Sequence, residues 1–416
     1  MASPIPVPPP VTIALRPSKS PVRKMLASCM STLLVAGSRA RAGPRPRAGD
    51  HARPPERPQG RHRIGTGLAR RDGLGHSCAA TLAPARRGPM ATIVLHGGAG
   101  NWPPEKHTAA RAALERALDA GVAALARGGN AVDAVVAAVE DMEDEPLFNA
   151  GTGSSIGIDG RIEMDACVMR GDTLEVGGVC NLQRVRHPVA VARAVMEQTD
   201  HVLVGGEGAL RLARALGFAD WDPETPDKRA GWQDRVRTLD EGGDAWLPRM
   251  KALLERHPEL RRGTVGAVAR DHEGRLAAAT STGGVALKLP GRIGDTPLPG
   301  AGTWADAHAA ISATGRGELV MRTLAARRVA ERVASGSSAD EAVCATLDEL
   351  ARTVGADTGL IAIDRNGNVS IRHDTPTMAW ARADLEDAIR RSTGVVTAPR
   401  RGAPRRPPLD DPDDAR

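Results

Sequence analysis

The chain has 416 residues, 41% of them hydrophobic, which is enough for a sizeable core in one large domain or two ordinary ones. Aromatic residues make up only 2% and tyrosine is absent, so Val, Ala, Leu and Ile must do the packing. The net charge of +6 is uneven: residues 1–89 hold 16 Lys and Arg against 3 Asp and Glu, while the rest holds 40 against 47, and this mildly acidic body with no basic stripe excludes a nucleic-acid-binding fold.

Residues 1–89 carry 14 of the 31 prolines, in runs such as PIPVPPP and RAGPRPRAGDHARPPERP, and are expected to be disordered. Residues 24–42 weakly imitate a secretory signal, but Ser28, Ser31 and Thr32 interrupt the apolar run. Met90 opens directly into a strand pattern, so the expected start is Met90, with the tail an over-long reading frame. Cys29, Cys78, Cys167, Cys180 and Cys344 are odd in number and form no CxxC pair, which suits reduced thiols and a cytoplasmic location. No apolar run approaches the ~18 residues of a membrane span, and no membrane partner is expected.

A short strand over 92–95 ends in His96-Gly97-Gly98-Ala99-Gly100. The spacing predicts a helix over 106–126 and a second, capped by Asn130, to about Met142. The loop 143–153 leads to a hairpin of 156–158 with 161–167. A helix over 188–199, a strand at 202–204 and a helix over 207–216 follow. Residues 219–262 are polar and rich in turn formers, and read as an exposed linker with one surface helix at 247–256. Residues 265–269 and 276–280 form a hairpin, and a Pro/Gly-rich loop runs to 302. Then come a strand at 309–312, helices over 318–335 and 338–354, a capping box of Ser338 with Glu341, and a hairpin of 359–364 with 368–372. The tail from about 399 is again expected to be disordered. Helix pair, strands, linker, strands, helix pair is the order of two sheets between helical layers.

The 265–280 hairpin sets Thr264 at the head of one strand and Ser281-Thr282-Gly283-Gly284 at the end of its partner. A Thr preceded by Gly263, with a second Thr beside it, suggests a residue that becomes an N-terminus; the plainer alternative is a hairpin with a Thr at its edge. Once freed, the α-amine of Thr264 can act as base for its own hydroxyl. Arg292 and Asp295 offer a guanidinium and a carboxylate from one rigid loop, complementary to the two charges of a free amino-acid end; the alternative is a local salt bridge. Thr314-Gly315-Arg316-Gly317-Glu318 stands where a strand passes into a helix, where backbone N–H groups suit an oxyanion.

The segments GTVGAVA, AAATSTGG, KLPGRIGDTPLPGAGT and SATGRGE, with HGGAG, EPLFNAGTGS and EMDACVMRG upstream, resemble the plant-type asparaginase and isoaspartyl aminopeptidase family. The matches span about residues 90–363. The resemblance implies a four-layer αββα sandwich of the N-terminal-nucleophile hydrolase type, an α/β (α+β) fold. It implies self-cleavage between Gly263 and Thr264 into an α subunit (90–263) and a β subunit (264–398). Thr264 would then attack the side-chain carbonyl of L-asparagine or of a β-aspartyl dipeptide, with Thr282 orienting its hydroxyl. Arg292 and Asp295 would clamp the substrate's α-carboxylate and α-amine, Thr314 and Gly315 would form the oxyanion hole, and Gly315 and Gly317 would line the α-end. Asn149 would lie close to the nucleophile. No cofactor would be required. A structural sodium ion would rest on the carbonyls of Met142, Glu143, Glu145, Phe148, Ala150 and Thr152, and two αβ units would form a dimer. The closing stretch His373-Asp374-Thr375-Pro376 matches the family pattern only loosely. Gly263, where the related glycosylasparaginases have Asp, favours the asparaginase side of a glycosylasparaginase-like alternative. A serine esterase using Ser155 is the remaining rival, because Gly153-Ser154-Ser155-Ile156-Gly157 fits G-x-S-x-G.

Overall fold

The computed structural model describes residues 90–240, 264–355, 357–385 and 389–395. The expectations for the two tails, for a helix at 247–256 and for Gly263 fall outside those residues.

In chain order, the described elements are β1 (Ala91–Gly100), α1 (His107–Ala126), α2 (Ala131–Asp144), β2 (Met164–Arg170), β3 (Val176–Leu182), α3 (Pro188–Gln198), β4 (Leu203–Gly205), α4 (Gly206–Ala215) and α5 (Pro226–Asp240). After residue 263 come β5 (Val265–Arg270), β6 (Leu276–Thr282), β7 (Thr303–Ala305), β8 (Ala309–Gly315), α6 (Gly317–Thr323), α7 (Ala325–Ala334) and α8 (Ala339–Thr353). The chain closes with β9 (Thr358–Asp364), β10 (Val369–His373), β11 (Thr377–Leu385) and β12 (Ile389–Gly394). One sheet has eight strands in the order β12-β11-β1-β5-β6-β2-β3-β4, and the other has four in the order β10-β9-β8-β7.

Strand periodicity assigns the layers, because alternate side chains leave opposite faces. Ile93 and Leu95 of β1, with Ala267 and Ala269 of β5, pack in one core with α1, α2 and α3. Val94 and Val268 point the other way and meet Ala310, Ile361 and Ile363 of the second sheet. The opposite face of that sheet, with Ile311 and Leu360, packs on α7 and α8. The molecule is therefore the four-layer αββα sandwich. Alanines fill much of both sheets, including Ala277, Ala278 and Ala279, which lets the layers pack with few aromatic rings.

Several predicted elements differ in detail. Residues 156–158 form no strand, because Ile156 and Ile158 exchange backbone hydrogen bonds with Leu287 and Lys288. β2 pairs instead with β3 and β6. The helix predicted over 318–335 is two helices, broken at Leu324, which adopts the left-handed conformation (φ 49°, ψ 51°). The capping boxes at Asn130 (with Asp133) and at Ser338 (with Glu341) both form. Part of the segment read as linker is the helix α5. Its approach and first turns strap the 148–160 loop: Gly153 N donates to Pro223 O (2.8 Å), and Trp232 Nε1 donates to Gly157 O (2.8 Å). Trp232 also packs on Ile156, Ile162 and Met164.

Candidate active site

Thr264 precedes Val265, whose partner across the hairpin is Ser281, so the same register carried one step further sets Thr264 opposite Thr282. Both threonines are buried, at 5% and 3% exposure. Period-two counting puts Thr264 on the face of Val268, and Thr282 on the face of Ala278, and both of those residues pack between the sheets. Thr314 lies on the inter-sheet face of β8, two pleats on from Ala310. Its hydroxyl oxygen accepts from Ala99 N at 3.2 Å, and Ala99 lies beyond His96, the register partner of Gly266. The three threonines therefore gather at the same end of the inter-sheet space.

Two of these hydroxyls are already oriented. Thr282 Oγ1 accepts from Gly284 N at 3.0 Å, and Thr314 Oγ1 accepts from Ala99 N. With an acceptor site used by backbone, each O–H is left to donate. Asn149 reaches the turn after Thr282: its Nδ2 donates to Gly284 O (2.6 Å), its Oδ1 accepts from Ser155 N (2.7 Å), and its backbone O accepts from Gly283 N (2.9 Å). Gly315 has φ 121°, and a Cβ there would lie 2.2 Å from Asp357 O, so only glycine lets this turn approach.

Arg292 and Asp295 both lie close to Gly317. A Cβ on that residue would stand 2.7 Å from Asp295 Oδ1 and 3.0 Å from Arg292 Nη2. Arg292 pairs with Glu318, donating from Nε (2.9 Å) and Nη2 (2.8 Å) to Oε1. The local Arg–Asp salt bridge weighed from spacing is thus replaced by an Arg–Glu pair that leaves Nη1 toward Gly284. Asp295 is buried, its Oδ2 has no hydrogen-bond partner, and burial pushes its carboxyl up to about 7, against the pull of Arg292. The loop thus presents a buried carboxylate with one oxygen lacking a hydrogen-bond partner, close to a guanidinium engaged along its Nε–Nη2 edge.

The residues that sequence reasoning missed lie behind this layer. Sequence reasoning gave His96 no role, yet its ring lies against the Thr264 carbonyl, and burial lowers its pKa to about 3, so it is neutral. Asp374 accepts from the N–H groups of Asp357 (2.7 Å) and Thr358 (2.6 Å), holding the segment that backs Gly315. Its loosely matching surroundings hid that role. Glu143 was assigned only a carbonyl, but its buried carboxylate accepts from Ser281 Oγ and from Val189 N at the head of α3. In both cases the signal available was a carboxylate in an otherwise buried pattern.

The 142–152 loop folds tightly on itself: Thr152 N donates to Glu143 O (2.7 Å), and a Cβ on Gly151 would lie 2.4 Å from that oxygen. Within it Met142 O accepts from Glu145 N (3.4 Å) and Glu145 O from Phe148 N (3.1 Å). Lys228 of α5 also reaches Phe148 O, at 3.4 Å, a contact long enough to yield. Ser155 sits in this irregular stretch, with neither a strand before it nor a helix after it, so the nucleophile elbow required of a serine esterase is absent. The described Cys167, Cys180 and Cys344 are free thiols. Among the described residues no helix is long and apolar enough to cross a membrane.

Helices on both outer faces of two stacked sheets, with a threonine heading a central strand, place the fold among the N-terminal-nucleophile hydrolases. The family model described as "Asparaginase" matches residues 89–391. A plant-type L-asparaginase of Pyrococcus abyssi is 44% identical over 294 residues, covering 70% of this chain and 96% of that protein. An isoaspartyl peptidase of Salmonella typhimurium is 42% identical, covering 70% and 96%. An isoaspartyl peptidase/L-asparaginase of Danio rerio is 38% identical, covering 71% and 92%. The chain belongs to the asparaginase family.

Proposed function

We propose that this chain cuts itself between Gly263 and Thr264 and then hydrolyses L-asparagine and β-aspartyl dipeptides. The supporting observation is the placement of Thr264 opposite Thr282, with the Arg292–Asp295–Gly317 receptor just beyond the adjoining turn. The relatives' names, plant-type L-asparaginase and isoaspartyl peptidase, point to the same two substrates.

In the first stage Thr264 Oγ attacks the Gly263 carbonyl carbon, the peptide C–N bond breaks, and the nitrogen takes up the hydroxyl proton to become the new α-amine. Water hydrolyses the ester and leaves Gly263 as a carboxylate. In the second stage that amine takes the Oγ proton as Oγ attacks the substrate's side-chain carbonyl. The oxyanion receives the Thr314 hydroxyl and the Gly315 N–H. Ammonia, or the amino group of the second residue of a dipeptide, leaves with the proton. Water then frees aspartate from the ester. Arg292 Nη1 and Asp295 hold the α-carboxylate and α-ammonium so that the β-carbonyl, not the α-carbonyl, meets Thr264. The purified protein should release aspartate from L-asparagine and from β-aspartyl-leucine, and leave α-aspartyl-leucine intact. Equal cleavage of the α- and β-linked dipeptides would overturn the receptor assignment.

The carbonyls of the 142–152 loop are proposed to hold sodium, which would stiffen the loop carrying Asn149. At tenfold saturation such an ion adds about 1.4 kcal/mol, or roughly 2–4 °C in Tm. Melting in sodium chloride should exceed melting in choline chloride of equal ionic strength by that margin; equal midpoints would remove the ion from the loop.

A further inference from the structure

The ladder between β2 and β3 slips by one residue. Met164 pairs with Leu182 and Ala166 with Val179, so Asp165 alone stands against Cys180 and Asn181. On its other side Asp165 is the register partner of Thr282. Asn181 adopts a left-handed φ of 51°, and its N–H donates to the side chain across the bulge, Asp165 Oδ1, at 2.9 Å. The other oxygen, Asp165 Oδ2, accepts from Gly294 N at 3.1 Å. Gly294 is the residue before Asp295 in the loop that also carries Arg292. Asp165 is fully buried.

More of the same loop is tied to the head of β2. Lys288 Nζ donates to Glu163 O (2.6 Å), Gly291 N donates to Glu163 Oε2 (2.9 Å), and Asn181 Nδ2 donates to Gly291 O (3.2 Å). Lys288 is buried as well. Burial lowers its ammonium, and the charge of Asp165 opposes that. Of the contacts that hold this loop, the one from Gly294 to Asp165 is buried, and the two at Gly291 are exposed. Counting donors explains why an aspartate stands there. Two backbone N–H groups, one from β3 and one from the loop, take one oxygen each, and a carboxylate accepts on both. Asparagine would turn an NH2 group toward one of them.

We propose that Asp165 is a positioning residue, which holds the loop bearing Arg292 and Asp295 on the strand beside Thr282, so that the α-end of the substrate meets a loop already in place. The proposal rests on the hydrolase reading above for its substrate. A loop that the substrate must order on each binding event loses affinity before it loses rate. The two stages of that reading therefore differ in their need for Asp165. Self-cleavage attacks the chain's own Gly263 carbonyl and uses neither Arg292 nor Asp295, whereas turnover of a free amino acid uses both.

Asp165→Asn separates the stages. By intact mass against time, it should cut between Gly263 and Thr264 at a rate within about threefold of wild type. It should then show a KM for L-asparagine raised on the order of tenfold, with kcat lowered less than about threefold. Wild-type KM would overturn the positioning role, and so would self-cleavage slowed as much as turnover, which is what a merely structural aspartate predicts. If Asp165→Asn fails to fold, Glu163→Ala loosens the same loop at its exposed Gly291 contact. That variant should raise KM about threefold with self-cleavage unchanged, and a wild-type KM there would overturn the role. Failure of the hydrolase reading would show in the wild type itself, which would be inert; failure of this proposal would show only in the variants.

Discussion

Replacing Thr264 by Ala should leave the chain in one piece and without hydrolytic activity. The proposed mechanism uses the same oxygen twice, first on the Gly263 carbonyl and then on the substrate, and no other hydroxyl has its register position opposite Thr282. Thr282 and Thr314 are themselves engaged by backbone N–H groups of Gly284 and Ala99, so neither is free to swing into the missing place. Loss of a nucleophile costs on the order of 10⁴–10⁶ in turnover. Intact-mass analysis after incubation should show two fragments meeting at residue 264 for the wild type, and a single species for the variant. Thr264→Ser keeps both the oxygen and the latent amine and should still cut, more slowly. A cleaved and active alanine variant would end the N-terminal-nucleophile reading of this site.

Asp295→Asn has the second-largest expected effect, and its sign depends on which property is measured. Burial raises the Asp295 carboxyl to about 7. Above that pH the group is a carboxylate that can hold an ammonium; below it, a neutral acid that cannot. For an amino-acid substrate kcat/KM should therefore fall as the pH drops through about 7. Stability runs the other way. With its pKa raised above the ordinary ~3.9, the folded chain binds this proton more tightly than the unfolded chain does. The group's contribution is thus greatest below about pH 4 and is lost as the pH rises from there to about 7. Asn removes the ionisation. The variant should lose about 3–4 kcal/mol of transition-state binding, on the order of 10²–10³ in kcat/KM, and its dependence on pH near 7. It should melt no lower than wild type above pH 7, because a buried charge has gone. Wild-type kcat/KM in Asp295→Asn would sink the assignment of Asp295 as the ammonium receptor.

Much of this site was legible because its parts sit within short stretches whose local patterns are strong. The alternation through 265–282 fixed both the hairpin and the facing of Thr264 and Thr282. The spacing of Arg292 and Asp295 on one rigid loop kept them close whatever the fold. What could not be read depends on pairing between distant segments. His96 reaches Thr264 only because β1 lies beside β5, and Glu318 replaces Asp295 as the partner of Arg292 only because α6 starts next to that loop. The helix α5 carries few apolar residues, so its sequence reads as linker, and it is held by Trp232 and by side chains reaching backbone carbonyls. Leu324 is an ordinary helix former and half exposed, so nothing in the residue itself foretells its left-handed turn. The edge strand β12, six largely polar residues, is defined by its ladder to β11 and by no pattern of its own.

The strand order has a thermodynamic consequence once the chain is cut. In the large sheet β1, β2, β3 and β4 precede residue 264, and β5, β6, β11 and β12 follow it, yet β1 is sandwiched between β11 and β5, and β6 runs against β2. The two fragments are therefore woven through one sheet along three ladders, and neither owns a complete face. Before cleavage, unfolding is a first-order event within one molecule. After it, unfolding releases two molecules that must find each other again, so the folded form obeys mass action. The mature protein should then grow more stable as it is concentrated and come apart on dilution, a dependence that the uncut chain lacks.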